Sequence, residues 1–290
     1  MKVTNNLHLP QAFVKAVSVE RHNKKGSVSA TTLNKGVKEI ILTERYYDDL
    51  SVDASDSIWA VFGTAVHSIF EKFEDGNFHE EKIETKVLNT TVTGTVDSYD
   101  MKNGIIYDWK TASVYKVMLG DFKDWKQQGL VYAMLLKEQG LDVNKCRFIA
   151  LLKDHSKSKA RTDDSYPQSP VFVYEFDVFE EDIESTKLRV AEKIKLLEES
   201  EDKTDEEIPV CTKEERWADD DKFAVMKNGR KTAIRVFGDK TDAENLLATL
   251  GAGHFIERRP AQDRKCGDYC ICKDFCSYYK NTYKKDEVTK

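Results

Sequence analysis

The 290-residue chain is poor in the residues that mark non-globular classes. Proline occurs five times and glycine fourteen, which excludes collagen-like and low-complexity sequence. Long apolar runs are missing. The most apolar stretch, Ile58 to Val66, falls far short of the ~20 residues a bilayer-spanning helix needs, so no membrane partner is expected. The opening residues Met1-Lys2-Val3-Thr4-Asn5-Asn6 lead into no apolar signal segment, and a cytoplasmic location is the expectation. An excess of positive charge is also lacking: 45 basic residues stand against 51 acidic ones, a net charge of −6. That sum does not suggest a nucleic-acid partner, although a binding groove is a local matter. Cysteines are few, and four of the six crowd into Cys266–Cys276. A disulfide framework would be spread more evenly, so this clustering points to metal ligation in a reducing compartment.

The 40% hydrophobic content is ample for a core, and its periodicity alternates between helix and strand. Residues 1–28 are polar and poorly periodic and read as an N-terminal arm. Helical spacing predicts a helix capped within Ser29–Thr32 and running to about Asp48, and another over Ser57–Phe73 that places His67 and Glu71 on one face. Strands are predicted at Glu81–Leu88, Thr91–Tyr99 and Ile105–Lys110. A helix follows over Asp124–Glu138, then strands at Arg147–Lys153 and Val171–Asp177 with a loop from Ser156 to Pro170 between them. A charged helix spans Glu180–Glu198, and the acidic run from Glu198 to Glu207 reads as a connector. Beyond it, Asn228-Gly229 signals a hairpin between Phe223–Lys227 and Lys231–Phe237. A helix near Thr241–Leu250 and a strand near His254–Glu257 complete a small ββαβ-like unit. The pattern predicts an α/β fold with a central mixed sheet flanked by helices over residues 29–200. A basic, Cys-rich subdomain over 208–290, stapled by metal and packed on that core, completes the expected organisation.

The chemistry concentrates at Gly94-Thr95-Val96-Asp97 and at Asp108-Trp109-Lys110. On adjacent strands Asp97 and Asp108 converge at one sheet edge, and Asp108 and Lys110 project from the same face. Two carboxylates and an ammonium on an otherwise apolar strand are costly unless paired or metal-bound. Carboxylate oxygens suit Mg²⁺ or Mn²⁺, and the trio suits phosphodiester hydrolysis.

In order along the chain stand Gly63-Thr64-Ala65-Val66-His67, Gly94-x-x-Asp97, Asp108-Trp109-Lys110 and Gln128-Gly129-Leu130-Val131-Tyr132. This series resembles the RecB-like branch of the PD-(D/E)XK nucleases, whose restriction-endonuclease-like core the chain would then share. The resemblance implies Asp97, Asp108 and Lys110 as catalytic residues and His67, Asp97, Asp108 and the Trp109 carbonyl as ligands of Mg²⁺ or Mn²⁺. It implies Gln128 and Tyr132 as DNA contacts or organisers of the site, with Glu71 as a candidate helper one helical turn beyond His67. The activity implied is a deoxyribonuclease, an exonuclease on single-stranded or unwound DNA ends, in a setting of replication or recombination proteins. A phage-encoded relative acting in a host cytoplasm fits the same pattern. The rival readings are a DNA-binding recombination partner without turnover and a sequence- or structure-specific endonuclease.

Two ligand sets are open among the cysteines: Cys266, Cys270, Cys272 and Cys276, all local, or Cys211 with Cys266, Cys270 and Cys276. The set that includes Cys211 resembles that of the iron–sulfur nucleases of the same branch, including AddB and the CRISPR-associated adaptation nucleases. It implies a [4Fe–4S] cluster, with Zn²⁺ as the alternative. The trio here reads Cys-x3-Cys-x5-Cys, one residue longer than in those families, and Cys211 follows the catalytic motifs instead of preceding them. Lys222–Lys240 carries six cations against the single acid Asp239. Lys227, Arg230, Lys231 and Arg235 within it are the candidate DNA contacts that answer the acidic total.

Overall fold

Alternating apolar residues from Phe78 to Val87 and from Thr90 to Asp100 make two long strands joined at Leu88-Asn89, and the rest of the sheet grows from the second. The computed structural model describes residues 1–18, 26–73 and 76–284, so residues 19–25 of the expected arm lie outside the described residues. The chain divides into two compact units, Met1–Ile208 and Pro209–Lys290.

In the first unit the elements run β1 (Lys2–Thr4), α1 (Gln11–Val17), β2 (Ser27–Ser29), α2 (Val37–Arg45), β3 (Ser51–Asp53), α3 (Ile58–Phe70), β4 (Phe78–Val87), β5 (Thr90–Asp100) and β6 (Ile105–Ala112). They continue with α4 (Val114–Leu119), α5 (Lys123–Glu138), β7 (Lys145–Leu152), α6 (Lys157–Ala160), β8 (Val171–Asp177) and α7 (Glu180–Ser200). The sheet is mixed, in the order β2-β5-β6-β7-β8 with β4 also on β5. β4 on β5, β5 on β6 and β7 on β8 are antiparallel, and β2 on β5 and β6 on β7 are parallel. The expected central mixed sheet with flanking helices is present.

Trp125, Val131, Leu135 and their neighbours on α5 bury against Val92, Val96, Ile106 and Phe148 of the sheet. This apolar face supplies most of the unit's stability, at about 25 cal/mol per Å² buried. Gly94 lets the helix come this close. A Cβ there would stand 2.9 Å from the Tyr132 ring, so only glycine allows the ring to lie on β5. Helix α3 takes the opposite face, where Phe70 packs on the Trp109 ring at 4.7 Å.

Some expectations need correction. The helix predicted from Ser29–Thr32 starts later, at Val37. The Ser29 hydroxyl contacts those of Thr31 and Thr32 and accepts from the Thr32 amide, which holds that segment in a tight turn that competes with helix. Residues 1–18 are not a bare arm, since β1 pairs with β3 and α1 is helical. The Ser156–Pro170 loop contains the short α6, capped by Ser156.

The second unit holds β9 (Lys222–Lys227), β10 (Arg235–Phe237), α8 (Lys240–Thr249) and β11 (His254–Arg259), with the strands antiparallel in the order β10-β9-β11. Asn228-Gly229 does turn, with Gly229 at φ +78°, but the two-residue hairpin is not formed. Arg230 folds back to donate to the Thr232 hydroxyl at 3.0 Å, and pairing resumes only where Arg235 faces Val225. The cysteine segment forms short helical turns over Lys265–Tyr269 and Lys273–Phe275. Among the described residues no helix is long and apolar enough to cross a membrane.

Candidate active site

The site lies where β5 and β6 part. Their ladder runs from Asp100 opposite Ile105 to Ser98 opposite Tyr107 and stops there. Asp97 and Asp108 are the next residues on each strand, so the backbone groups that a further rung would pair are replaced by side-chain contacts. Asp97 Oδ2 accepts from the Trp109 amide at 2.7 Å. The two carboxylates are almost wholly buried, which is tolerable only because each is engaged.

On the α3 side, His67 Nδ1 lies 3.2 Å from Asp97 Oδ1 and 3.6 Å from Glu80 Oε1. Its Nε2 faces the Trp109 carbonyl at 3.1 Å. The imidazolium therefore donates in both directions, and the Asp97 hydrogen bond raises the His67 pKa. Burial, with Asp97 nearby, raises that of Glu80. His67, Glu80 and Asp97 bring one ligand atom each to within 4.8 Å of one another. One imidazole and two carboxylates are a donor set that suits a hard or borderline divalent cation, so the residues present fit Mg²⁺ or Mn²⁺. With Nδ1 toward the cation, Nε2–H would stay on the Trp109 carbonyl, which fixes the tautomer as a supporting hydrogen bond does in metal sites.

On the α5 side, Lys110 Nζ meets Asp108 Oδ2 at 2.6 Å and Gln128 Oε1 at 3.0 Å. Gln128 Nε2 donates to the Tyr132 hydroxyl at 2.7 Å and lies 3.5 Å from Asp108 Oδ1. Burial raises the Asp108 pKa in spite of Lys110, and neighbouring Asp97 adds to the rise. Burial likewise raises the Tyr132 phenol, so this hydroxyl stays protonated as a hydrogen-bonding group. Asp108, Gln128 and Tyr132 together fix the Lys110 ammonium at the mouth of the gap.

The structure thus brings His67, Asp97, Asp108, the Trp109 carbonyl, Lys110, Gln128 and Tyr132 to one place. Asp108 is outside the triple of potential ligands, and the Trp109 carbonyl is taken up by His67. Glu71 is an exposed residue at the end of α3; its charge reaches Glu80, but among the described residues it makes no hydrogen bond or ion pair in the site. Glu80 is the residue that the sequence pattern missed. It sits in the left-handed region at φ +51°, and the β4–β5 ladder skips the pair it would make with Asp97. Counting equal steps back from Val87 opposite Thr90 places Glu80 across from Asp97, so recognition of the Leu88-Asn89 turn would have found it.

In the second unit, burial, Asp263 and the sulfurs of Cys270, Cys211 and Cys276 push the Cys266 thiol up to about 12. Cys272 is buried, with its sulfur 3.5 Å from that of Cys270. Arg216 is paired with Asp263 at 3.1 Å, and Asp263 also accepts from the Tyr278 hydroxyl at 2.7 Å. Lys227, Arg230, Lys231 and Arg235 are exposed on and around the β9–β10 connection. Arg258, Arg259 and Arg264 are paired with Asp221, Glu257 and Asp219, so the basic surface is narrower than the sequence suggests.

No protein-family model matches the chain, and no curated protein is similar to it in sequence. Among solved structures it is similar to SSO0001, with 15% identity over 63% of this chain and 84% of that one and a TM-score of 0.45. A phage-related exonuclease from Haemophilus somnus 129PT matches at 14% identity over 58% of this chain and 92% of its own, with a TM-score of 0.36. An alkaline exonuclease from Laribacter hongkongensis matches at 12% identity over 66% and 94%, with a TM-score of 0.37.

Proposed function

We propose that this protein is a Mg²⁺- or Mn²⁺-dependent deoxyribonuclease of the PD-(D/E)XK type, acting as an exonuclease on single-stranded or unwound DNA ends. The observation that carries the reading is the gap between β5 and β6, where His67, Glu80 and Asp97 offer ligand atoms beside a Lys110 ammonium clamped by Asp108 and Gln128. A divalent cation supplies charge neutralisation and a lowered pKa for bound water. The chain's own residues do the rest. Asp97 and Glu80 would hold the cation through their carboxylates, and a neutral His67 would offer Nδ1 while the Trp109 carbonyl keeps its ring in orientation. Lys110 faces the attacked phosphate as a fixed donor for charge that develops on its oxygens. Asp108, Gln128 and Tyr132 position Lys110, and Asp108 would share in holding the cation only at the expense of its contact with Lys110. Exposed Lys227, Arg230, Lys231 and Arg235 supply phosphate contacts.

Cys211, Cys266, Cys270 and Cys276 are the proposed ligands of a [4Fe–4S] cluster, with Zn²⁺ as the alternative. The support is that the sulfurs of Cys211, Cys270 and Cys276 all act on the thiol of Cys266, and half-buried thiols near one another suit a thiophilic cation. Cleavage of end-labelled single-stranded DNA with Mn²⁺, abolished by EDTA, is the expected result. Binding without turnover under the same conditions would transfer the reading to a non-catalytic DNA-binding protein.

A further inference from the structure

Helix α3 buries almost nothing of its outward side. Trp59 and Phe62 are 55% and 42% exposed, in an edge-to-face pair with ring centroids 6.4 Å apart. A soluble surface rarely leaves a tryptophan beside a phenylalanine in water without a use. The pair is placed with respect to the site by helical spacing. Trp59, Gly63 and His67 follow one another at i, i+4 and i+8, and eight residues of helix separate Trp59 from His67 by about 12 Å. Gly63 faces Thr111 at the end of β6, so this line of the helix runs along the catalytic strand.

A cation completes the arrangement. Lys153 lies with its ammonium 3.7 Å from the centre of the Trp59 ring, held there because its backbone amide bonds the Ala112 carbonyl at the end of β6. Lys153 is exposed, and among the described residues no carboxylate pairs with it. Exposed rings, with an ammonium over one face of Trp59 and continuous with the proposed catalytic gap, match a strand that offers π-faces and phosphates in alternation.

We propose that Trp59 and Phe62, with Lys153, form a stacking platform for unpaired nucleobases of the strand that enters the site. The proposal rests on the nuclease reading and extends it: bases held in a duplex cannot reach the rings, so the platform selects single-stranded or frayed ends. Lys153 takes the phosphate beside the stacked base, and Trp59 is a positioning residue whose effect on cleavage acts through binding.

The test uses the full chain in EDTA with a fluorescent oligo-dT and a matching oligonucleotide bearing an abasic tract, read by anisotropy. Trp59→Ala should weaken oligo-dT binding by roughly 5- to 100-fold, as loss of one stacked base does. Trp59→Phe should retain most of the affinity, and the wild type should bind the abasic strand about as weakly as Trp59→Ala binds oligo-dT. Unchanged circular dichroism and Tm in both variants identify the loss as one of contact. Wild-type affinity in Trp59→Ala, equal binding of both strands by the wild type, or a dimer lost only in Trp59→Ala would overturn the platform. The two readings separate cleanly. A base-dependent loss in a wild type that cleaves nothing keeps the platform and removes the nuclease, whereas unaltered binding in a protein that cleaves removes the platform alone.

Discussion

The carboxylate gap and the cysteine cluster both gather ligand-type side chains, but they are held in opposite ways. In the gap every charge already has a partner within the chain: His67 with Asp97 and Glu80, Lys110 with Asp108 and Gln128. These residues stand on long strands and helices whose apolar faces form the core. At the cysteines the balance is different. Burial and neighbouring sulfurs disfavour the thiolate of Cys266, and the nearby Arg216 is committed to Asp263. The gap is therefore organised by charges paired within the chain, whereas at Cys266 burial and the neighbouring sulfurs favour the neutral thiol.

The largest expected effect that probes this contrast is at Lys110. Lys110→Met removes the fixed donor and should lower the cleavage rate by roughly 10²–10³-fold with little change in melting, as loss of one preorganised charge donor does. Asp108→Asn should also impair cleavage, yet without loss of stability in the ion-free protein. The raised Asp108 pKa means that its charged form is net disfavoured there, so this contribution is full below the ordinary value near 3.9 and lost as pH rises through the raised one. A marked fall in Tm for Asp108→Asn at neutral pH would contradict a self-sufficient gap.

Chelation or Cys266→Ser should act on stability instead. The expectation is protease sensitivity confined to the Pro209–Lys290 unit while Met1–Ile208 stays resistant. Limited proteolysis with mass spectrometry reads this directly, and equal resistance of both units would erase the distinction between them.

Smaller effects refine the contrast. Gly94→Ala should cost about 1–3 kcal/mol in urea melts, because the new methyl meets the Tyr132 ring at 2.9 Å, whereas Gly63→Ala meets only Thr111 at 3.7 Å and should be close to neutral. Mn²⁺ affinity, measured by calorimetry, should rise with pH above the ordinary histidine range. The cation must displace the His67 proton that Asp97 retains, and His67→Gln should flatten the slope. The same raised pKa gives the imidazolium a stabilising role that is full below its ordinary value near 6.5 and fades as pH rises through the raised value.

Much of this was legible in the sequence because β5, β6, α3 and α5 carry strong periodicity and their polar exceptions stand out against it. Asp97, Asp108, Lys110 and Gln128 interrupt apolar faces, and such interruptions are what a pattern reveals. Glu80 was hidden because it belongs to a strand rich in charge, where one more glutamate attracts no notice and only register singles it out. The short α4 and the long β9–β10 connection depend on local side-chain hydrogen bonds, the Lys116 amide to the Ser113 hydroxyl and Arg230 to Thr232, which leave no periodic trace. Trp59 reads from sequence as one more apolar residue of the Ser57–Phe73 helix, and only its exposure distinguishes it.

The most direct test combines Mn²⁺ binding by electron paramagnetic resonance with single-turnover cleavage of a labelled single strand, on the same preparations of wild type, Asp97→Asn and Lys110→Met. Asp97→Asn should lose both the bound ion and cleavage, whereas Lys110→Met should keep the ion and lose cleavage. Wild-type Mn²⁺ binding in Asp97→Asn, or wild-type cleavage in either variant, would contradict a cation held by Asp97 beside a phosphate met by Lys110.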